Sequence, residues 1–262
     1  MHDPVVGDMR TFARWNDLLG SVLLSVDCEA FPKRLETALY FLAPFQMMNG
    51  FYYSADGRAF DLYNEKSIVE RSTIVDQYLA GAYILDPFYD AIRNNSRPRF
   101  ILMRDLAPDD FSQSEYYRRH YASTGISDEA GFVFGLGAEN IAVLSLCRVA
   151  MNNPFSEPEI DRLRAAAKLV CWLGEQHWTG THARPKPIAS SAPAPKIEHP
   201  MLTPREREIV MLILKGHSTA SIAMVLTLSL DTVKTHRRHI YAKLNISSQA
   251  ELFHMFFTSP HG

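Results

Sequence analysis

The stretch LSLDTVKTHRRHIYAKL, residues 228–244, combines basic side chains with helical spacing, and such a segment can bind a polyanion. On a helical wheel, two apolar residues fall within about 20° of a third, Val233, and the three define a buried side. These residues are Val233, Ile240 and Leu244. The outward side carries Lys234 and Arg238 one turn apart, with the small residue Thr235 beside them. Long donors next to small side chains suit the DNA major groove, so these three are predicted to contact base edges.

The flanks of the same helix supply polar residues for the DNA backbone. Thr232 and Lys243 lie on one side of the outward face and Arg237 lies on the other, where phosphates would run. A solvated surface helix is the competing interpretation, but such a helix usually carries more acids among its bases. Four bases and one acid across fifteen residues favour DNA.

Three further helices are predicted around this one. Thr203 and Glu206 have the spacing of a capping box at the start of the first, and Gly216 can end it. A short helix is expected over 219–225, and Ser248 begins the last one. The chain is therefore predicted to end in an all-α domain of four helices.

Charge and composition divide the chain of 262 residues into two parts and a linker. The net charge is −2, yet residues 201–262 carry seven Lys and Arg against four acids. Residues 181–200 contain five of the fifteen prolines, which predicts an extended linker. The expected units are a regulatory domain over 1–180, a Pro/Ala-rich linker over 181–200 and a DNA-binding domain over 201–262.

The first domain mixes helical and strand patterns. Helices are expected over 8–25, 29–42, 68–94, 114–123 and from Ser156 onward. Strands are expected over 47–54, 59–63, 100–103, 131–135 and 141–148. This order predicts an α+β domain in which an antiparallel sheet lies between helical layers, an α/β/α arrangement.

A stretch of about fifty residues, 202–252, closely resembles the LuxR/FixJ-type helix-turn-helix domain. The resemblance rests on LTPRERE, Gly216, Ile222-Ala223, Ser229, TVKTH at 232–236 and KL followed by QAEL. It implies that the third helix enters the major groove, with the base-facing and phosphate-facing residues named above at the family's positions. Two departures are Ser221, where the family has an acidic residue, and Thr227, where it has glycine. We expect each to destabilise the domain locally by about 1 kcal/mol or less.

The first domain resembles the autoinducer-binding domain of quorum-sensing LuxR proteins, an architecture related to GAF and PAS domains. The resemblance rests on YLAGAYILDPFYDAI at 78–92 and GISDEAGFVFGLGAENIAVLSLCR at 125–148. In that family an aspartate accepts a hydrogen bond from the lactone amide, and the matching residue here is Asp86. The implied pocket residues are Tyr78, Tyr83 and Asp86. The family's upstream tryptophan is absent, which makes the chain similar to the solo LuxR regulators, whose ligands differ or are lacking.

Several of these residues also have purely structural interpretations. An aspartate before a proline commonly caps a helix, and this explains Asp86 equally well. The nearby aromatic residues are explained as core: Phe88, Tyr89, Tyr116, Tyr117 and Tyr121. The cysteines at 28, 147 and 171 lie far apart and are expected to be buried free thiols.

No catalytic, metal or cofactor site is predicted, and the chain is not expected to be an enzyme. His236 and His239 have a metal-compatible spacing but lack partner ligands nearby in the sequence. The chain has no basic leader and no apolar run long enough to span a membrane, so a cytoplasmic location is expected.

The expected function is sequence-specific transcriptional regulation by a homodimer that binds operator DNA and is modulated by a small molecule in the first domain. RNA polymerase is a further expected partner. The alternative is a regulator controlled by a protein partner, or a constitutive one, with no small-molecule ligand.

Overall fold

The computed structural model describes residues 4–64, 75–94, 99–137, 139–149, 153–179 and 197–257. The helices of the first domain are α1 (Pro4–Leu23), α2 (Phe31–Leu42), α3 (Gln77–Leu79), α4 (Pro87–Asn94), α5 (Met103–Leu106) and α6 (Glu157–Thr179). Its strands are β1 (Met47–Tyr53), β2 (Ala59–Tyr63), β3 (Arg99–Leu102), β4 (Ile126–Gly135) and β5 (Ile141–Val149). The second domain contains α7 (Pro204–Lys215), α8 (Thr219–Leu226), α9 (Leu230–Leu244) and α10 (Gln249–Phe257).

The five strands form one antiparallel sheet in the order β2-β1-β5-β4-β3. Successive residues of β1 point to opposite faces, because strand side chains alternate with a period of two. Tyr52 packs with the layer of α1, α2 and α6, whereas Phe51 and Tyr53 pack on the other side. The predicted sheet between helical layers is thus confirmed, and each face has its own apolar core.

The core on the second face continues into the DNA-binding domain. It joins Phe88 and Phe111 of the first domain to Ile213 and Phe253 of the second, without a break in the packed apolar residues. The sequence predicted two domains joined by a linker, and that division does not indicate a shared core. One shared core means that the second domain rests directly on the helices that cover this face of the sheet.

Some local expectations differ from the structure. Strand β4 begins at Ile126, five residues before the expected start, and residues Tyr117–Ala122 form a π-helical turn where an ordinary helix was expected. Cys28 is exposed, contrary to the expectation of three buried thiols, whereas the thiols of Cys147 and Cys171 are buried. The first part of the helix expected over 68–94 and most of the linker expected over 181–200 lie outside the described residues.

Among the described residues, no helix combines the length and the apolar composition that crossing a lipid bilayer requires.

Candidate nucleic-acid interface and sensor cavity

Helix α9 is held in place by its apolar side and by caps at both ends. Val233, Ile240 and Leu244 are buried against the other helices of the domain. The Ser229 hydroxyl accepts a hydrogen bond from the Thr232 amide at 3.1 Å, which caps the first turn. Asn245 ends the helix with a left-handed φ of 52°. The segment that the sequence singled out is therefore a fixed helix with a defined outer face.

The outer face of α9 presents the three predicted base-contacting residues to solvent. Lys234, Thr235 and Arg238 are all exposed. The only ion pair of Lys234 among the described residues is with Asp231 at 3.5 Å, and both side chains are largely exposed. Such an exposed pair contributes little, so the lysine is available to a stronger anionic partner.

The three predicted phosphate-contacting residues differ in their exposure and in their contacts within the domain. Thr232 is exposed on the first turn of α9, and Arg237 donates a hydrogen bond from Nη1 to the Thr219 hydroxyl at 3.1 Å. Lys243 instead forms an ion pair with the buried Glu206, with Nζ 2.7 Å from Oε2. Burial raises the pKa of Glu206, but hydrogen bonds from Lys243 and Thr203 outweigh it and hold that pKa below its ordinary value. Lys243 therefore has a structural task inside the domain.

The two departures from the family pattern, at Ser221 and Thr227, each have a local structural consequence. Thr227 adopts a left-handed φ of 53°, a conformation that glycine would adopt without strain. The amide of Ser221 donates to the Ser218 hydroxyl at 3.1 Å, so the cap of α8 survives without an acidic residue at 221. A carboxylate is nevertheless present, because Asp109 of the first domain accepts a hydrogen bond from the Ser218 amide at 2.9 Å and another from its hydroxyl.

Asp109 belongs to a larger set of contacts that dock the two domains. Lys215 Nζ lies 2.6 Å from Asp90 of α4, and this lysine side chain is largely buried. The Asp110 amide donates to the Gly216 carbonyl at 2.9 Å. Gly216 has a φ of 92°, and a Cβ placed on it would lie 2.7 Å from the Phe111 Cα. The turn between α7 and α8 thus fits against residues 109–111 with no room for a side chain.

The first domain contains a small cavity between β1, α4 and the π-helical turn, and Tyr78 and Asp86 line it. Its volume is about 20 Å³. Tyr78 donates to Asp86 Oδ2 at 2.8 Å, and the Tyr53 and Tyr78 hydroxyls lie 2.5 Å apart. The Phe88 amide donates to Asp86 Oδ1 at 2.8 Å, so Asp86 also begins helix α4. The two interpretations of Asp86, helix cap and cavity residue, are therefore compatible.

A second buried carboxyl group, Glu129 of β4, lines the same cavity. Tyr121 donates to its Oε2 at 2.6 Å. Burial raises the pKa of Glu129 above its ordinary value. Burial, together with the neighbouring charge of Glu129, raises the pKa of Asp86 to about 7. The two acids form an electrostatically linked pair in a buried site.

Tyr83 does not line the cavity that contains Tyr78 and Asp86. Its hydroxyl donates to the Gly57 carbonyl at 3.0 Å, at the turn between β1 and β2, and its ring packs against Tyr78. Sequence reasoning did not assign six other polar lining residues to the cavity: Asn49, Tyr53, His120, Tyr121, Glu129 and Ser145. The alternation of β1 and β4 was a usable signal, since it shows which residues share a face, but it does not show which face is hollow.

A second, larger cavity of about 260 Å³ lies where the two domains meet. It is lined by Ala80, Ala82, Tyr116, Arg119, His120, Phe253 and Phe257, among others. His120 lines both cavities. The Arg119 guanidinium lies 5.0 Å from the centre of the Phe253 ring, which belongs to α10. The wall of this cavity is therefore built by both domains.

Within the described ranges, no three His, Cys, Asp or Glu side chains are grouped as a metal ion would require. His236 is half-buried and His239 is exposed on α9.

Comparison with known proteins adds independent observations. Residues 200–256 match the family model described as GerE, bacterial regulatory proteins, luxR family. An HTH-type transcriptional regulator in the exeN 3′ region of Aeromonas salmonicida is 32% identical over 166 residues, which is 56% of this chain and 83% of that protein. The monoamine regulon transcriptional regulator of Klebsiella aerogenes is 29% identical over 182 residues, 67% of this chain and 69% of that protein.

A solved structure shares the fold. The crystal structure of the VqsR LBD domain from Pseudomonas aeruginosa aligns with a TM-score of 0.53 and 25% identity, and covers 63% of this chain and 96% of that one. The similarity to the Aeromonas regulator extends well beyond the 57 residues of the family model, so it includes part of the first domain.

Proposed function

This chain belongs to the LuxR family of bacterial regulatory proteins, and from that premise we propose that its two domains work as a ligand-modulated switch on operator DNA. The family consists of DNA-binding transcriptional regulators, not of enzymes. The finer proposal is that α9 reads base edges through Lys234, Thr235 and Arg238. The observation that carries it is the exposure of all three on one face of a capped helix.

The face of α9 has the chemistry that a major groove requires. Arg238 can donate two parallel hydrogen bonds to guanine, and Lys234 can donate to guanine or to a phosphate. Thr235 is small enough to let the helix approach the bases. Thr232 and Arg237 at the edges of the face are the proposed phosphate contacts, since each side chain can donate to a phosphate oxygen.

Replacing Arg238 with alanine is expected to weaken binding to a selected operator by about 1–3 kcal/mol, while binding to random DNA changes little. The measurement is a pair of titrations, one with a duplex that the wild type selects from random sequences and one with scrambled duplex. Arg237→Ala is the matched control and should weaken both, with a salt dependence reduced by about one counterion. Equal losses of Arg238→Ala on both duplexes would contradict base reading.

Lys243→Ala is a poorer test of phosphate contact than Arg237→Ala. Removing the ammonium group would leave Glu206 buried beside the capping box without its cation, which destabilises the domain. A loss of DNA affinity in that variant would then combine two causes.

The cavity that contains Tyr78 and Asp86 is the proposed signal site of the first domain. Its polar atoms converge on one enclosed space, which is typical of a small-molecule site. Control by a protein partner, or constitutive DNA binding, is the competing proposal, and it predicts that no small molecule changes operator affinity. An assay of operator binding with and without bound ligand distinguishes the two.

Helix α6 is the proposed contact between two copies of the chain. Trp172 on this helix is 50% exposed, whereas Phe253 and Phe256 of α10 are buried within the chain. An exposed tryptophan is a strong anchor for a protein interface. The second copy would place two α9 helices on the two halves of a symmetric operator.

Trp172→Arg is expected to weaken self-association at least tenfold. The reason is that a charged side chain would replace an aromatic anchor that the second copy would cover in the dimer. Sedimentation equilibrium of the full chain measures the effect. The control is Met224→Arg on α8, an exposed apolar residue of the other domain, which should leave association unchanged. Unchanged association in Trp172→Arg together with a loss in Met224→Arg would place the interface on the DNA-binding domain.

A further inference from the structure

Two carboxyl groups share the small cavity of the first domain, and the resemblance to autoinducer-binding domains accounts for only one of them. Asp86 and Glu129 are each 7% exposed. In the part of the chain that the structure describes, no lysine or arginine forms an ion pair with either. Burying ionised carboxyl groups without a cation is unfavourable, so a second acid at this place needs a reason.

Asn49 gives an independent indication that the cavity binds something. This residue of β1 is 5% exposed and lines the cavity, and its Oδ1 has no hydrogen-bond partner among the described residues. A buried acceptor without a donor is destabilising. The cavity therefore presents three acceptor groups, one amide oxygen and two carboxyl groups, which favours a ligand that donates.

The rest of the lining also suits a positive charge. Aromatic rings form much of the wall: Phe51, Tyr53, Tyr78, Phe88 and Tyr121. Their faces attract cations, most strongly where water is excluded. His120 supplies no competing charge, because burial lowers its pKa to about 4 and leaves it neutral near pH 7.

We propose that this cavity binds the protonated amino group of a small organic cation, held between Asp86 and Glu129 and donating to Asn49 Oδ1. The inference rests on the proposed function of the first domain as a small-molecule site and names the class of that molecule. A primary ammonium group carries three donors and no acceptor, which matches the three acceptors. Glu129 is the residue that sets this preference, because it adds a second buried carboxyl group whose negative charge a neutral ligand would not balance.

The size of the two cavities indicates the shape of the ligand. About 20 Å³ holds one water-sized group, so an ammonium head fits and a bulky lactone does not. The apolar body of the ligand would occupy the neighbouring cavity of about 260 Å³, which shares His120 with the first. Phe253 and Phe257 of α10 line that second cavity, so a ligand with such a body touches the DNA-binding domain directly.

The experiment is isothermal titration of the full-length protein with three probes of equal size: benzylamine, benzyl alcohol and benzoate. Benzylamine is expected to bind at least tenfold more tightly than the alcohol, and benzoate should not bind because the carboxyl groups repel it. A bound cation favours the ionised acids, so titration near pH 6.5 in two buffers of different ionisation enthalpy should also show proton release.

Glu129→Gln keeps the size of the side chain and removes its charge. This variant is expected to lose at least tenfold in benzylamine affinity while its affinity for benzyl alcohol is unchanged or improved. Glu159→Gln is the matched control, because Glu159 pairs with Arg148 and Ser156 at the start of α6, away from the cavity lining. Circular dichroism and the alcohol titration verify that each variant is folded.

Two results would overturn the proposal. One leaves the proposed small-molecule function of the first domain standing, and the other contradicts that function as well. Wild-type protein that binds benzyl alcohol as tightly as benzylamine shows a site for neutral molecules, so the small-molecule function survives without the preference for a cation. Protein that binds operator DNA but none of the three probes shows that neither the cation site nor the sensor role holds, and leaves DNA binding intact.

Discussion

Replacing Gly216 with alanine is expected to destabilise the protein by about 2–4 kcal/mol and to separate the two domains. The left-handed φ of 92° costs an alanine about 1–2 kcal/mol on its own. The new Cβ would also lie 2.7 Å from the Phe111 Cα and 3.1 Å from its backbone nitrogen. Backbone atoms cannot rotate away as the end of a side chain can, so the turn between α7 and α8 must move off residues 109–111.

Gly137→Ala is the control that separates the strain of a left-handed φ from the steric clash of the new Cβ. Gly137 also has a left-handed φ, 71°, but a Cβ there meets nothing within 4 Å. Its substitution should therefore carry the conformational strain without any clash. Amide hydrogen exchange of Asp110 is the direct readout of docking, because this amide donates to the Gly216 carbonyl. Faster exchange of Asp110 in Gly216→Ala and not in Gly137→Ala is expected, and equal exchange in both would show that the domains do not depend on this contact.

The ligand-free protein is expected to lose stability from its buried acids as the pH rises from about 4 to about 8. The pKa of Asp86 is raised from 3.8 to about 7 in the folded protein, so the folded state binds its proton more tightly than the unfolded state does. This contribution is fully present below pH 4 and is lost as the pH rises through 7. One pKa unit corresponds to about 1.4 kcal/mol, so the loss is on the order of 4 kcal/mol.

The difference in stability between wild type and Asp86→Asn, measured by urea unfolding at several pH values, isolates this contribution. Other groups titrate in the same range: burial lowers the pKa of His120 and of His177 to about 4, which makes the protein more stable as the pH rises to 6.5. The facing tyrosines stay neutral, because burial raises the pKa of Tyr53, Tyr78, Tyr116 and Tyr121 well above 10. Burial also raises the pKa of Glu129, so this residue adds to the pH dependence of the unfolding free energy in both proteins.

The expected result is a wild-type advantage over Asp86→Asn that shrinks between pH 5 and pH 8. Asp161→Asn on the exposed side of α6 is the control for replacing a carboxyl group by an amide away from the cavity. A wild-type advantage that grows with pH would show that Asp86 is ionised in the folded, ligand-free protein.

The DNA-binding domain could be predicted almost completely from the sequence because its signals are local. Capping residues such as Thr203 and Ser229 mark where helices begin, and the apolar period of α9 identifies its buried side within the segment itself. The roles of Lys234, Thr235 and Arg238 remain predictions, since exposure alone does not show what they bind. The pairing of Lys243 with Glu206 could not be foreseen from local patterns. It joins α9 to α7 through two residues that lie 37 positions apart in the chain.

For the first domain, the sequence predicted the arrangement of sheet and helices but did not predict the residues that line the cavity. The order of helices and strands indicated the sheet between helical layers. The cavity depends on residues from β1, β4 and the π-helical turn, and the register between β1, β5 and β4 decides that Asn49 and Glu129 come near Asp86. The sequence pattern contains no information on that register, and the expected strand began only at residue 131, so Glu129 was placed outside the sheet.

The contact of Asp109 with Ser218 has a genetic consequence. Helix α8 lacks the acidic residue that its family places at 221, and a residue from another domain supplies the carboxylate at its first turn instead. The two domains are thereby part of one folding unit, and each contributes to the integrity of the other. Loss-of-function alleles in a promoter-activity screen are then expected to cluster at 109–111 as well as on α9, although this loop belongs to neither the exposed face of that helix nor the lining of the small cavity.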